Sequence, residues 1–158
     1  GFVVGVADWF LLAVLNSSVA WAFFREVCQA LGDKDEGGRL RLKSQYVELL
    51  PIPSASADER DQVGKLAMQA QTLHGNRRIR SEQFIRDLGL NPADSNSRNP
   101  LEQPWTLSAD EYTKRARKLH GRAPDMKLYE AARDETAALT EQIAKIEAEI
   151  DARVAALY

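Results

Sequence analysis

At 158 residues the chain has the length of one domain with room for a modest core. A formal net charge of -2 excludes a strong overall attraction to nucleic acid or anionic membrane, so any anion-binding surface must be local. A single cysteine, Cys28, excludes an intrachain disulfide and a cysteine-based zinc site, which fits a reduced, cytoplasmic setting.

Residues 2–6, FVVGV, form a short β-branched run that reads as a strand. The chain opens at Gly1 directly on this run, without a methionine, which predicts a piece of a longer protein. Asp8 is the expected N-cap and Gly32 the expected stop of one helix over residues 9–31. That helix is apolar on nearly every face up to Arg25, so it is expected to be the buried centre of the fold. Its run WFLLAVLNSSVAWAFF falls short of the roughly 20 apolar residues a membrane span needs, and Asn16, Ser17 and Ser18 interrupt it. No basic segment precedes it and no small-residue cleavage site follows, so neither a membrane nor a signal peptide is expected.

Residues 33–38, DKDEGG, read as a charged, flexible loop. RLRL at 39–42 alternates basic with apolar, the period of a short strand with one wet face. Residues 43–50 predict a couple of helical turns ended by Pro51. Ile52, held extended between Pro51 and Pro53, is expected to plug the core. Ser56 and Glu59 have capping-box spacing and open a second helix, in which Val63, Leu66, Ala67, Ala70 and Leu73 recur until Gly75. Residues 76–88 predict a further helix carrying Ile79, Phe84, Ile85 and Leu88. NPADSNSRNPLEQP, residues 91–104, is a loop by composition, and Trp105 and Leu107 are expected to anchor the chain back on the core.

Ser108 and Glu111 form a second capping box, opening a helix to about Leu119 that stops at Gly121. Pro124 and Asp125 introduce a long final helix. Tyr129, Ala132, Thr136, Leu139, Ile143, Ile146, Ile150 and Leu157 fall on its a and d positions, broken where Arg153 takes a d position. This seam is expected to pack on the helix beginning at Ser56; the self-associating alternative makes a dimer through Ile143, Ile146 and Ile150. The fold class expected is mainly α with a small β element, a helical scaffold with a long C-terminal helix. Residues 1–75 form one part and residues 76–158 a helical extension with a basic segment.

No G-x-G-x-x-G, phosphate loop, H-E-x-x-H or G-x-S-x-G occurs. The pairs Asp58–Glu59 and Asp110–Glu111 stand at helix starts, where the macrodipole accounts for them. His74 and His120 read as surface residues, so neither a catalytic site nor a metal is expected in this chain. Cation distribution is more informative. Between residues 112 and 128, Lys114, Arg115, Arg117, Lys118, Arg122 and Lys127 face Asp125 alone. Arg77, Arg78, Arg80 and Arg86 surround Glu82, and Arg39, Arg41 and Lys43 form a third cluster with Gln45 beside it. Clusters of this kind on a near-neutral protein suit phosphate binding driven by counterion release.

The order of LLAVLNSSVAWAFF, a glycine-containing loop, RLRLKSQYVELLPIP and a capped helix resembles the TaqI-like C-terminal specificity domain of restriction–modification adenine-N6 DNA methyltransferases. Leu15-Asn16-Ser17, Leu50-Pro51-Ile52-Pro53 and the ending EIDARVAALY carry the likeness, which covers residues 2–73 and the last turns. The resemblance implies a C-terminal target-recognition fragment that binds double-stranded DNA. Arg39, Arg41, Lys43 and Gln45 would face the DNA from a platform pinned by Pro-Ile-Pro. Arg77, Arg78, Arg80, Lys114, Arg115, Arg117 and Lys118 would add phosphate contacts, on charge alone. Asn91-Pro92-Ala93-Asp94 and Asn99-Pro100-Leu101-Glu102 depart from the family's catalytic Asn-Pro-Pro-Tyr type motif. The resemblance therefore puts S-adenosylmethionine and the chemistry in a separate methyltransferase domain, of an enzyme that methylates or both methylates and cleaves. The alternative is a helical interaction or dimerisation module of such an enzyme without direct DNA contact.

Overall fold

A computed structural model describes residues 7–31, 39–94, 100–120 and 124–158. Among them the chain is mainly α-helical, with one two-stranded β element and a long C-terminal helix. It divides into two compact units, Gly1–Ala70 with Ile146–Tyr158, and Gln71–Lys145.

In place of the single helix expected over residues 9–31, the first unit has α1 (Trp9–Leu15) and α2 (Ser18–Val27), bent by 55°. Ser17 makes the break. Its backbone is extended, and its buried hydroxyl donates to the Val14 carbonyl at 2.7 Å and accepts from the Ala20 N–H at 3.2 Å. One side chain therefore closes the first helix and caps the second. At the other end of α1, Asp8 accepts from the Leu11 N–H at 3.1 Å. It also pairs with Arg60 at 2.7 Å, whose guanidinium lies 4.4 Å over the Phe10 ring. The bend gives each half its own buried stripe, Phe10, Ala13 and Val14 on α1 and Ala20 and Phe24 on α2. Trp9, Leu12 and Trp21 stay exposed, so the pair is less buried than the central helix expected here. No single helix among the described residues is long and apolar enough to cross a membrane.

β1 (Ala30–Leu31) pairs antiparallel with β2 (Arg39–Leu40), Ala30 opposite Leu40 and Leu31 opposite Arg39. The Arg41 N–H extends the pairing to the Gln29 carbonyl at 2.9 Å. The strand expected at 2–6, the stop at Gly32, the loop at 33–38 and the stop at Gly121 lie outside the described residues. α3 (Ser44–Val47) is a single helical turn, shorter than the couple of turns expected over residues 43–50. Ile52 does not plug the core; it is 46% exposed, whereas Leu50 and Pro53 are buried. Prolines favour a three-residue period, in which positions 50 and 53 share a side and 52 points elsewhere.

α4 (Ala57–Asp87) runs 31 residues without a break, so Gly75 does not end it and the two helices expected here are one. Its start is the reciprocal capping box: Ser56 donates from both N–H and Oγ to Glu59, and the Glu59 N–H donates back to Ser56 Oγ. Its end is at Gly89, with φ of +74°. There the Leu90 N–H reaches the Ile85 carbonyl at 3.1 Å and the Gly89 N–H the Arg86 carbonyl at 2.8 Å, the paired bonds of a left-handed C-terminal turn. Short 3-10 turns at Pro92–Asp94, Pro100–Glu102 and Pro104–Thr106 lead to α5 (Ala109–His120) and α6 (Met126–Ala155). The second capping box forms as expected between Ser108 and Glu111.

Two apolar cores result. In the first unit Phe10, Val14, Phe24 and Leu50 pack with Val63 and Ala67 of α4 and Ile150 and Val154 of α6. In the second, Phe84, Ile85, Leu101, Leu107 and Ala116 surround a stacked pair, Tyr112 and Tyr129, with ring centroids 4.5 Å apart. The Tyr112 hydroxyl donates to the Asp125 carbonyl at 3.1 Å, and burial first, then the Asp125 charge, pushes the phenol's pKa up. The α6 seam is largely as expected, with Tyr129, Ala132, Thr136, Ile143 and Ile150 buried. Beyond Ile150 it continues through Val154 rather than position 153, because a straight helix drifts from a seven-residue repeat. Arg153 is freed to bind Gln62 at 2.7 Å and Glu149 at 2.8 Å.

Ile150→Ala is expected to destabilise the chain by about 2–4 kcal/mol in urea unfolding, through the cavity left between α4 and α6. The caps predict acid lability. Glu59 and Glu111 have lowered pKa values because they accept the hydroxyl and backbone bonds of Ser56 and Ser108. A lowered folded pKa contributes stability above the unfolded glutamate range that is lost as pH falls through the folded value. A Glu59→Gln, Glu111→Gln double variant should accordingly show a shallower fall in melting temperature from about pH 7 to about pH 3 than the wild type.

Candidate nucleic-acid interface

The cations singled out in the sequence separate into two kinds. In the first unit Arg41, Lys43 and Gln45 are exposed on the short path from β2 into α3. Arg39 lies in β2, and its side chain is outside those described. Among the described residues neither Arg41 nor Lys43 forms an ion pair. In the second unit α5 is strongly amphipathic, with Tyr112 and Ala116 buried and Lys114, Arg115, Arg117 and Lys118 exposed on the remaining faces. These four also form no ion pair among the described residues. Glu111, one turn earlier, is committed to its cap on Ser108.

The α4 cluster is different. Arg77 Nη1 donates to Thr140 Oγ1 at 2.9 Å and Nη2 lies 3.2 Å from His74 Nδ1. Its guanidinium lies 4.4 Å over the Trp105 ring. Arg80 pairs with Glu135 across to α6, its side chain only 21% exposed and its Nη1 buried without a partner among the described residues. Of Arg77, Arg78 and Arg80, only Arg78 projects into solvent, 3.8 Å from Glu82, which also pairs with the exposed Arg86 at 3.3 Å. Of the three arginines, two serve the packing of α4 on its neighbours and one is presented.

Sequence reasoning missed a cleft of about 510 Å³ in the second unit. One wall is α4, from Gln71 to Ile85 and including His74, Gly75, Arg77, Arg78 and the carboxylate of Glu82; the other comes from the 3-10 turns, through Pro92, Glu102, Gln103 and Trp105. Trp105 is half-buried here, a wall of the cleft as well as an anchor. The signal in the sequence was Gly75, which reads as a helix stop and is in fact a helix interior without a side chain. Among the described residues, no group of three metal-ligating side chains converges.

Residues 56–154 match the family described as Domain of unknown function (DUF8810). The chain belongs to this family. The matched region begins at the capping-box serine of α4 and ends at Val154, the last buried residue of α6, so it contains the whole second unit with its cleft and α5. Neither the curated proteins nor the solved structures contain a match to the chain.

The three described glycines fall apart on inspection of their surroundings. Gly64 lets α4 approach α1, since a Cβ there would stand 3.3 Å from Trp9 Cβ. Gly89 needs its positive φ. A Cβ on Gly75 would meet nothing within 4 Å. Gly75→Ala is therefore expected to raise stability by about 0.5–1 kcal/mol in thermal or urea unfolding, the helix-propensity gain with no steric loss.

Proposed function

We propose that the chain is the DNA-binding, target-recognition part of a site-specific adenine-N6 DNA methyltransferase, with S-adenosylmethionine and the chemistry in a separate methyltransferase domain. The observation that carries this reading is where the three stretches of family resemblance meet. Ser17, of Leu15-Asn16-Ser17, is the buried hinge between α1 and α2, and the next residue's N–H donates to Asp151 Oδ1 at 2.8 Å. The closing tyrosine, Tyr158, donates its hydroxyl to the Pro51 carbonyl of Leu50-Pro51-Ile52-Pro53 at 2.6 Å. Segments more than 100 residues apart are thus bonded to one another inside one unit, as parts of a common scaffold would be. The exposed cations Arg41 and Lys43 leave that scaffold just ahead of its rigid Pro-Ile-Pro, and α5 adds four more that form no ion pair among the described residues.

Phosphate contacts and base contacts have different signatures. Measured by anisotropy with duplex DNA over a salt series, Arg115→Glu with Arg117→Glu should weaken binding to every sequence. Each lost phosphate contact should flatten the log–log salt slope by about 0.9. Arg41→Ala should instead relax preference at one base pair, by about 1–3 kcal/mol. Binding indifferent to salt and to all three substitutions would remove DNA from the account.

A second reading rests on the exposed apolar side chains of α1 and α2, Trp9 at 38%, Leu12 at 39% and Trp21 at 51%. They suit a helical docking module that seats the chain on its methyltransferase domain or on another copy of itself. Association of that kind resists salt, which separates it from phosphate binding.

A further inference from the structure

We infer that the cleft of the second unit is a nucleotide-binding site, taking one planar base against Trp105 and Arg77 and its phosphate on Arg78. The inference does not depend on duplex binding by the cations of α5 or β2. A glycine such as Gly75 in the interior of a 31-residue helix is unfavourable relative to alanine. Its backbone is not left-handed and no neighbour excludes a Cβ. Packing and backbone conformation leave the glycine unexplained, and it lines the cleft. The absent side chain leaves the backbone of that wall open to close approach by a ligand.

The other lining residues define the ligand. Arg77 is held at three points, by Thr140, by His74 and by its stack on Trp105, so a flat guanidinium–indole platform is already ordered before anything binds. Nucleic-acid bases stack on both aromatic and guanidinium planes, and a preordered platform avoids the entropy cost of fixing a long side chain. Gln71 and Gln103 are exposed amides at the cleft, each offering a donor and an acceptor to a base edge. Arg78 supplies an exposed guanidinium for a phosphate, a group it can grip with two parallel bonds through the nitrogens that its loose 3.8 Å pairing with Glu82 leaves available. The volume, about 510 Å³, is that of a small-molecule site and admits one nucleotide rather than a duplex. The nucleotide has two sources, a free mononucleotide or one unstacked residue of a single strand.

The test follows the Trp105 indole N–H in nitrogen-15 spectra of the full chain, assigned by its loss in Trp105→Phe. Adenosine 5′-monophosphate and a short adenine-containing single-stranded DNA are titrated separately, with ribose 5-phosphate as a phosphate that lacks a base. A saturable shift with either nucleotide probe and none with ribose 5-phosphate is the expected result. Tighter binding of the strand identifies the strand as the source; binding of the mononucleotide alone identifies the free nucleotide. Gly75→Leu, which fills the cleft and improves helix propensity, should keep or raise the melting temperature and weaken binding by about tenfold or more, the scale of one lost base stack. Gln103→Ala, on an exposed turn away from α4, should weaken it several-fold and keeps the test independent of the helix. Gly75→Leu should leave the salt slope of duplex binding unchanged, so failure here and failure of the DNA reading are separable. Absence of a shift with both nucleotide probes, an equal shift with ribose 5-phosphate, or wild-type affinity in both variants overturns the site.

Discussion

α4 and α6 each carry only a narrow apolar stripe on an otherwise charged surface, and helices of that kind owe most of their stability to packing rather than to propensity. In each unit the stripe of one covers the stripe of the other. Val63 and Ala67 meet Ile150 and Val154 in the first unit; Phe84 and Ile85 meet Tyr129 and Ala132 in the second. The small residues matter as much as the large ones. Ala67 and Ala132 permit close approach, while Phe84 and the Tyr112–Tyr129 stack fill the space that remains.

Polar side chains along the same stripe fasten the pairing. Arg153 binds Gln62 in the first unit, and Arg77 and Arg80 reach Thr140 and Glu135 in the second. Exposed ion pairs contribute little to stability, but the Arg80–Glu135 pair and the Arg77–Thr140 hydrogen bond lie at the edge of a core and join α4 to α6 there. Arg77 connects packing to the candidate site directly, because the bonds that hold it to His74 and to Thr140 of α6 also set the plane on which Trp105 stacks. An arginine that looks from composition like a phosphate contact is thereby a structural strut with one planar face at the cleft. Lys114, Arg115, Arg117 and Lys118 have no such employment among the described residues, and the face they occupy is what α5 presents to solvent.

The first unit is held by a different device. Ser17 turns the chain between α1 and α2, Asp151 meets the first free N–H of α2, and Tyr158 reaches back to the carbonyl of Pro51. These bonds satisfy backbone groups that a sharp bend and a proline-rich exit would otherwise leave open. They tie the last turns of the chain to its first helices, which is why the closing segment belongs to the first unit rather than to a C-terminal extension.

Much of this was legible in the residues. Both capping boxes, the helical class, the long final helix and most of its buried positions follow from local spacing, because caps and amphipathic periods are set by neighbours three or four residues away. The bend at Ser17, the continuity of α4 through Gly75, the exposure of Ile52 and the step from Ile150 to Val154 were not, since each turns on which surface is available to cover a side chain. The candidate site divides in the same way. Sequence determined where cations cluster and which face of α5 they occupy, a matter of composition and period alone. Only the tertiary structure decided that Arg77 and Arg80 are spent on partners from α6, that Trp105 stands beside them, and that the bare backbone at Gly75 opens a cleft, because those contacts join residues far apart in the chain.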